Sequence, residues 1–173
     1  GEVGVPDARL DKLAAIAGSK QIIPTRMTFV DIAGLVKGAS QGEGLGNQFL
    51  ANIRETDSIA HVLRCFEDGD VTHVEGRVDP VADASTIETE LMLADLESVE
   101  KRRANLVRKL KGNDKEALQQ ERLLAAAQTL LEAGKPARLV EVDDADLQAW
   151  KLVQLLTSKT QLSVCNVGEN EEV

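Results

Sequence analysis

A long helical pattern interrupts a series of short β-like segments, and this order limits the chain to few architectures. Residues 2–5, 27–31 and 58–66 have the pattern of strands, and 161–167 has it again after the interruption. Residues 45–56, between two of these strands, show helical spacing of their apolar side chains. A strand, helix and strand in succession predict a βαβ unit. The segment 58–66 is apolar on both faces, which predicts a mainly parallel sheet covered on both sides.

The interrupting segment, residues 85–158, shows helical spacing throughout. Ser85 with Glu88, and Asn113 with Glu116, have the spacing of capping boxes at the starts of two helices. Because only a short turn separates the two helices, we predict an antiparallel α-helical hairpin, a coiled coil. The predicted fold is therefore α/β with an inserted helical domain at 85–158.

Composition narrows the class of protein. The chain has 173 residues, 43% of them apolar and 2% aromatic, so we expect a sizeable core made of aliphatic side chains. A formal charge of −9 argues against a protein that coats nucleic acid, although a local basic patch is compatible with it. No apolar stretch reaches the roughly 18 residues of a membrane span, and we predict no membrane association. Cys65 and Cys165 lie in apolar runs, which predicts buried free thiols and a cytoplasmic protein.

A glycine-rich segment follows the strand at 27–31. Asp31 ends that strand, Gly34 follows three residues later, and five glycines fall within thirteen positions. A carboxylate at this place can hold Mg²⁺, usually through water, while a glycine amide approaches a terminal phosphate. The four residues alone are also compatible with a capping aspartate before a flexible turn.

The longer run DIAGLVKGASQGEGLGNQFLANIRETD closely resembles the second switch of the Obg-like ATPases, the YchF family of P-loop NTPases. The segments HVLRCFED, VDP and TELMLADLESVEKR resemble that family as well, and so does a helical hairpin within the nucleotide domain. The resemblance implies that 1–84 and 159–173 form part of a G-domain-like nucleotide-binding domain around the helical insertion. It also implies an ATP hydrolase that uses Mg²⁺ in a switch cycle and associates with ribosomal particles.

The resemblance implies a preference for ATP as well. GTPases of this superfamily read guanine with the motif N-K-x-D, and the matching residues here are Asn166, Val167, Gly168 and Glu169. The lysine is absent and the aspartate is replaced by a longer glutamate. Asn166, Val167 and Glu169 are expected to border the base, although the same residues could form a plain turn after the strand.

Ras-like enzymes have a glutamine after the switch glycine to orient the attacking water. Leu35 occupies that position here and cannot form a hydrogen bond through its side chain. We therefore expect slow hydrolysis or a different group at the water. His73, in a polar stretch, is a catalytic candidate, the alternative being a solvated loop histidine. His61 lies within a predicted strand and is expected to be a core residue.

Basic residues concentrate near the end of the first long helix: Lys101, Arg102, Arg103, Arg108, Lys109 and Lys111. Cations at this end of a helix complement its dipole, which is sufficient to explain them. A basic cluster at the tip of an arm would also suit contact with RNA or an acidic protein. The sequence leaves both interpretations open.

The phosphate-loop motif G-x-x-x-x-G-K-[ST] does not occur in the chain. Since members of the family carry that loop upstream and a TGS domain downstream, we expect this sequence to be an interior part of a longer protein. We also expect the 173-residue chain to bind nucleotide weakly by itself. Two alternatives remain, an Obg-type GTPase and a non-enzymatic module that binds ribosomes or RNA through the helical hairpin.

Overall fold

The computed structural model describes residues 1–32, 45–67 and 78–168, with the backbone alone for residues 45–48. The chain divides into two compact units, Gly1–Ala33 and Gly34–Val173. Residues 33–44 of the switch-like run, which include Gly34 and Leu35, lie outside the described residues.

The first unit contains strand β1 (Glu2–Gly4), helix α1 (Ala8–Ala17) and strand β2 (Arg26–Thr28). The Asp7 carboxylate caps α1 by accepting a hydrogen bond of 2.9 Å from the N–H of Arg9. Strands β1 and β2 pair in antiparallel fashion. This pair departs from the expected parallel arrangement because the chain returns beside β1 in the opposite direction after α1.

The second unit contains the parallel strand pair that the sequence predicts. After helix α2 (Leu45–Arg54), strand β3 (Ser58–Arg64) pairs in parallel with strand β4 (Thr160–Asn166). Their register runs from Ser58 opposite Thr160 to Arg64 opposite Asn166. The two strands are neighbours in the sheet, so the helical segments between them form one long crossover connection.

One face of the β3–β4 pair is exposed. Ile59 and Leu63 point towards the packed side of the unit, whereas Ala60 and Val62 point away, and Val62 is 63% exposed. The described residues show no second layer on this face, and a sheet covered on both sides stays a prediction. An apolar strand pattern indicates which side chains can be buried. It does not show whether another element covers the second face of the sheet.

The crossover begins with two long helices, α3 (Pro80–Leu110) and α4 (Lys115–Glu132). Asp79 caps α3 by accepting from the N–H of Ala82 at 2.9 Å, and Pro80 occupies the first helical position. Asp114 caps α4 by accepting from the N–H groups of Glu116 and Ala117. Helix α4 ends just before Gly134, which adopts the left-handed φ of 69° expected of a helix-ending glycine.

Both predicted capping boxes are wrong. Ser85 lies inside α3, because Asp79 followed by proline provides an earlier start for the helix. Asn113 has a left-handed φ of 54° and belongs to the turn, which leaves the cap to its neighbour Asp114. The predicted domain boundary after residue 84 falls within α3, and the domain division itself stays a prediction.

Helices α3 and α4 pack against each other and against the segments that follow them. A short helix, α5 (Leu147–Val153), and the 3₁₀ turns Ala137–Leu139 and Leu156–Ser158 complete this part of the core. Its buried side chains are aliphatic, as expected: Val99, Leu106, Ala117, Leu124, Ala127, Leu131, Ala137, Val153 and Leu155. The core thus joins the helical crossover to the start of β4.

Candidate functional site

The carboxyl ends of β3 and β4 meet at the same edge of the sheet. Arg64 is opposite Asn166, and the N–H of Cys65 donates to the carbonyl oxygen of Asn166 at 2.8 Å. Ligands of open α/β sheets bind outside the carboxyl ends of their strands. This edge is therefore the place in the second unit where a nucleotide site is expected.

Two of the predicted base-bordering residues lie at this edge. Asn166 is the last residue of β4 and is exposed, and the half-buried Val167 follows it directly. The amide of Asn166 offers both donors and an acceptor, and Val167 offers an apolar surface. Glu169, the third predicted residue, lies outside the described residues.

An arginine–aromatic pair adjoins this edge on the β3 side. The guanidinium of Arg64 lies 4.7 Å from the centre of the Phe66 ring, and its Nε donates to the carbonyl oxygen of Phe66 at 3.1 Å. A cation over a ring at this distance is a favourable contact. Sequence reasoning did not identify this pair as a feature of the site. The available signal was an aromatic residue, rare in this chain, directly after a strand.

The predicted switch residues are placed only in part. Asp31 is exposed after β2 in the first unit, whereas Gly34, Leu35 and His73 lie outside the described residues. The described residues hold no group of three His, Cys, Asp or Glu side chains placed to bind a metal. Proteins commonly hold Mg²⁺ with one or two carboxylates, water and substrate phosphates, so the exposed Asp31 carboxylate fits such a site.

His61 lies in β3, as predicted, but it is half-buried, whereas the sequence predicts a core residue. Its Nδ1 is 3.4 Å from the side-chain nitrogen of Gln161 on β4. Burial lowers the pKa of the His61 imidazole, and the charges of Glu88 and Asp83 act in the opposite direction. These contacts favour a structural role for His61.

Comparison with known families identifies the fold and the family. The profile of a family described as "50S ribosome-binding GTPase" matches residues 13–109, which is more than half of the chain. The chain belongs to this family. A solved structure from Schizosaccharomyces pombe, described as a YchF GTPase, has a TM-score of 0.74 and 36% identity, covering 97% of this chain and 46% of that one. The G-domain-like P-loop fold is therefore established.

Two curated relatives within the family share the name Ribosome-binding ATPase YchF. The protein from Haemophilus influenzae is 51% identical over 170 residues and that from Bacillus subtilis is 48% identical over 171 residues. The matches cover 98% and 99% of this chain and 47% of each relative, so the chain spans about half of their length. The resemblance to the Obg-like ATPases is confirmed. Among the described residues, no helix is both long and apolar enough to cross a membrane.

In this member of the family, a buried aspartate attaches the helical crossover to the start of β4. Asp95 on α3 is 1% exposed and accepts hydrogen bonds from the N–H of Leu156 at 2.8 Å and of Thr157 at 2.8 Å. The Thr157 hydroxyl donates to the same carboxylate at 2.7 Å and accepts from the N–H of Ala137 at 2.9 Å. Burial raises the pKa of Asp95, while these hydrogen bonds from Thr157 and Leu156 act in the opposite direction.

A lysine side chain links the end of helix α2 to the start of β4 through hydrogen bonds. Lys159, one residue before β4, donates from its Nζ to the carbonyl oxygens of Arg54, at 3.1 Å, and Thr56. These carbonyls lie at the C-terminal end of α2, where a helix lacks internal hydrogen-bond partners and favours a cation. Helix α2 forms the later part of the run that resembles the second switch. Asp95 and Lys159 therefore tie α3 and α2 to the segment that leads to Asn166.

Proposed function

We propose that the chain is part of an ATPase that binds and hydrolyses ATP with Mg²⁺ in a switch cycle while associated with ribosomal particles in the cytoplasm. The observation that carries this proposal is the position of Asn166 and Val167 at the carboxyl end of β4. GTPases with N-K-x-D require an aspartate to accept hydrogen bonds from guanine. With Val167 and Glu169 in place of the lysine and aspartate, adenine is the better fit.

The proposed nucleotide site combines several roles. Asn166 and Val167 border the base together with Glu169, and the Phe66 ring offers a surface on which a base can stack. Asp31 holds Mg²⁺ through water, and Gly34 allows the terminal phosphate to approach the backbone. Magnesium, when bound, neutralises charge on the phosphates.

Hydrolysis requires a positioned water molecule. Leu35 cannot orient this water through its side chain, so the proposal assigns the task to His73 or to a partner. Slow turnover in the absence of ribosomal particles is expected where the partner, and not His73, positions the water. We also propose that α3 and α4 form an inserted coiled-coil arm of the nucleotide domain.

Competition between ATP and GTP for the intact protein tests the proposal. We expect ATP to bind more tightly, and the double variant Val167→Lys with Glu169→Asp to move the preference towards GTP. The matched control Glu171→Asp makes the same acidic change two residues further along and should leave the preference unaltered. Tighter binding of GTP by the unmodified protein would contradict the proposal.

The same titration on the 173-residue chain measures how tightly this chain binds ATP by itself. Because the chain contains no G-x-x-x-x-G-K-[ST] motif to surround the phosphates with backbone amides, we expect weak binding of ATP. Binding at low micromolar concentration would contradict that expectation.

Two other functions keep some support. The descriptions of the matching family and of the Schizosaccharomyces pombe relative both contain the word GTPase, which favours an Obg-type GTPase. The well-packed pair of α3 and α4 also suits a non-enzymatic module that binds ribosomes or RNA. The competition experiment separates the GTPase from the ATPase, and loss of all nucleotide binding by the intact protein would favour the module.

A further inference from the structure

The basic residues near the end of α3 do not act as one cluster in the structure. Arg102 donates from its guanidinium to the carbonyl oxygen of Val153 at 2.5 Å. Arg103 donates to the carboxylate of Glu121 at 2.5 Å and 2.9 Å and to Gln128 at 2.5 Å. These two arginines hold α3 against α5 and α4, so they are occupied within the fold.

Four other cations surround the turn between α3 and α4. We call them the basic tip: Arg108, Lys109, Lys111 and Lys115. All four are exposed, and none forms an ion pair or a side-chain hydrogen bond with any residue that the structure describes. The basic tip is therefore available to a partner.

The turn that carries the basic tip is ordered by its own hydrogen bonds. The N–H groups of Gly112 and Asn113 donate to carbonyl oxygens in the last turn of α3, at 3.0 Å and 3.1 Å. Asp114 accepts from two N–H groups at the start of α4, so its carboxylate is occupied in capping. The four cations consequently extend from a defined backbone on both sides of the turn.

The helix dipole explains only part of this arrangement. Arg108, Lys109 and Lys111 lie at the C-terminal end of α3, where positive charge is stabilised. Lys115 is the first residue of α4, where the dipole makes a cation unfavourable. Asp114 and Glu116 on either side of it complement that dipole, so the dipole leaves only Lys115 unexplained.

Within residues 108–116, the four cations of the basic tip accompany two carboxylates, those of Asp114 and Glu116, so this segment carries a net positive charge. The nearest acidic residue before the tip on α3 is Glu100, eight residues before Arg108, which is about 12 Å along the helix at 1.5 Å per residue. That distance exceeds the Debye length of about 8 Å at physiological ionic strength. The turn Asp144–Asp146 is also acidic and contacts α4, where the Asp146 carboxylate forms an ion pair with Arg122.

We propose that the basic tip binds the phosphate backbone of RNA. The segment from Arg108 to Glu116 contains no aromatic side chain on which bases could stack, so its contacts would be with phosphates and independent of base sequence. Lysine and arginine at the end of an ordered arm supply the charges that phosphate contacts require. The inference rests on the proposed ribosome association and names the surface and the chemical class of the partner.

The test compares two triple variants that remove the same charge. Lys109→Gln, Lys111→Gln and Lys115→Gln neutralise three members of the basic tip. Lys12→Gln, Lys135→Gln and Lys151→Gln neutralise three exposed lysines elsewhere and serve as the matched control. Binding of a fluorescent RNA hairpin is measured by anisotropy over a series of salt concentrations. We expect the basic-tip variant to weaken binding and to lower the slope of log K against log salt by about 2–3.

An equal loss in both triple variants, or no loss in the basic-tip variant, would overturn the proposal. If the basic-tip variant loses poly-glutamate binding as much as it loses RNA binding, the proposal of an RNA partner would be overturned in favour of an acidic protein. Co-sedimentation of the intact protein with ribosomes is measured in parallel. If the unmodified protein does not co-sediment with ribosomes, ribosome association itself is contradicted. If it does co-sediment and the basic-tip variant binds RNA as well as the unmodified protein, only the role of the basic tip is contradicted.

Discussion

Asp95 is the residue on which the attachment of the helical crossover depends most directly. We expect Asp95→Asn to lower the free energy of unfolding by about 1–3 kcal/mol, the usual cost of leaving a buried donor unpaired. An asparagine amide can accept hydrogen bonds at only one of its two terminal atoms, whereas both Asp95 oxygens accept in the native protein. Urea denaturation at neutral pH measures the difference.

Glu97→Gln is the matched control for this change. Glu97 lies two residues further along α3, is exposed, and loses the same charge on substitution. Since exposed substitutions usually alter stability by no more than about 0.5 kcal/mol, the control should unfold almost as the native protein does. Equal stabilities for the Asp95 and Glu97 variants would show that the hydrogen bonds of Asp95 contribute little.

Individual residues were predictable where their role depends on a local pattern. Asn166 and Val167 were placed correctly at the end of a strand, because the apolar run before them marks that end. The network of Asp95 was missed because its partners, Leu156 and Thr157, lie 61 and 62 residues away. One signal was present, since Asp95 interrupts the apolar positions of Leu91 and Val99 on the same face of α3.

At the scale of elements, the packing of α4 against α3 supplies the aliphatic core. Leu124 is fully buried, whereas Leu118 on the same helix is 46% exposed. We expect Leu124→Ala to lower the free energy of unfolding by about 2–5 kcal/mol, because it removes buried contacts and leaves a cavity. Leu118→Ala makes the same chemical change at a surface position and should cost much less. Chemical denaturation of the pair measures both values, and similar losses would contradict the assigned core.

The presence of the helices and strands could be predicted from the sequence. The residues at which the helices begin, and the direction in which strands pair, were harder to predict. Helical spacing over α3 and α4 is strong because many turns repeat it. The start of α3 was predicted six residues too late, because Ser85 and Glu88 have the spacing of a capping box inside a helix that Asp79 already caps. The antiparallel pairing of β1 with β2 was missed because the side-chain pattern of a short strand does not specify the direction of its neighbour.

At the scale of the whole molecule, the residues proposed to bind Mg²⁺ and the base belong to different compact units. Asp31 belongs to the first unit and Asn166 to the second. The attachments of Asp95 and Lys159 belong to the second unit alone.

We expect ATP with Mg²⁺ to raise the melting temperature of the intact protein, and removal of the metal with EDTA to abolish most of that increase. A ligand at 100 times its Kd stabilises a folded protein by about 2.7 kcal/mol, which corresponds to several degrees. Asp31→Asn should lose the magnesium-dependent part of the increase and keep the part that ATP produces alone. Asp11→Asn, an exposed change on α1 in the same unit, should retain both parts. A full magnesium-dependent increase in the Asp31 variant would exclude this carboxylate from the metal site and leave the base contacts at β4 unaffected.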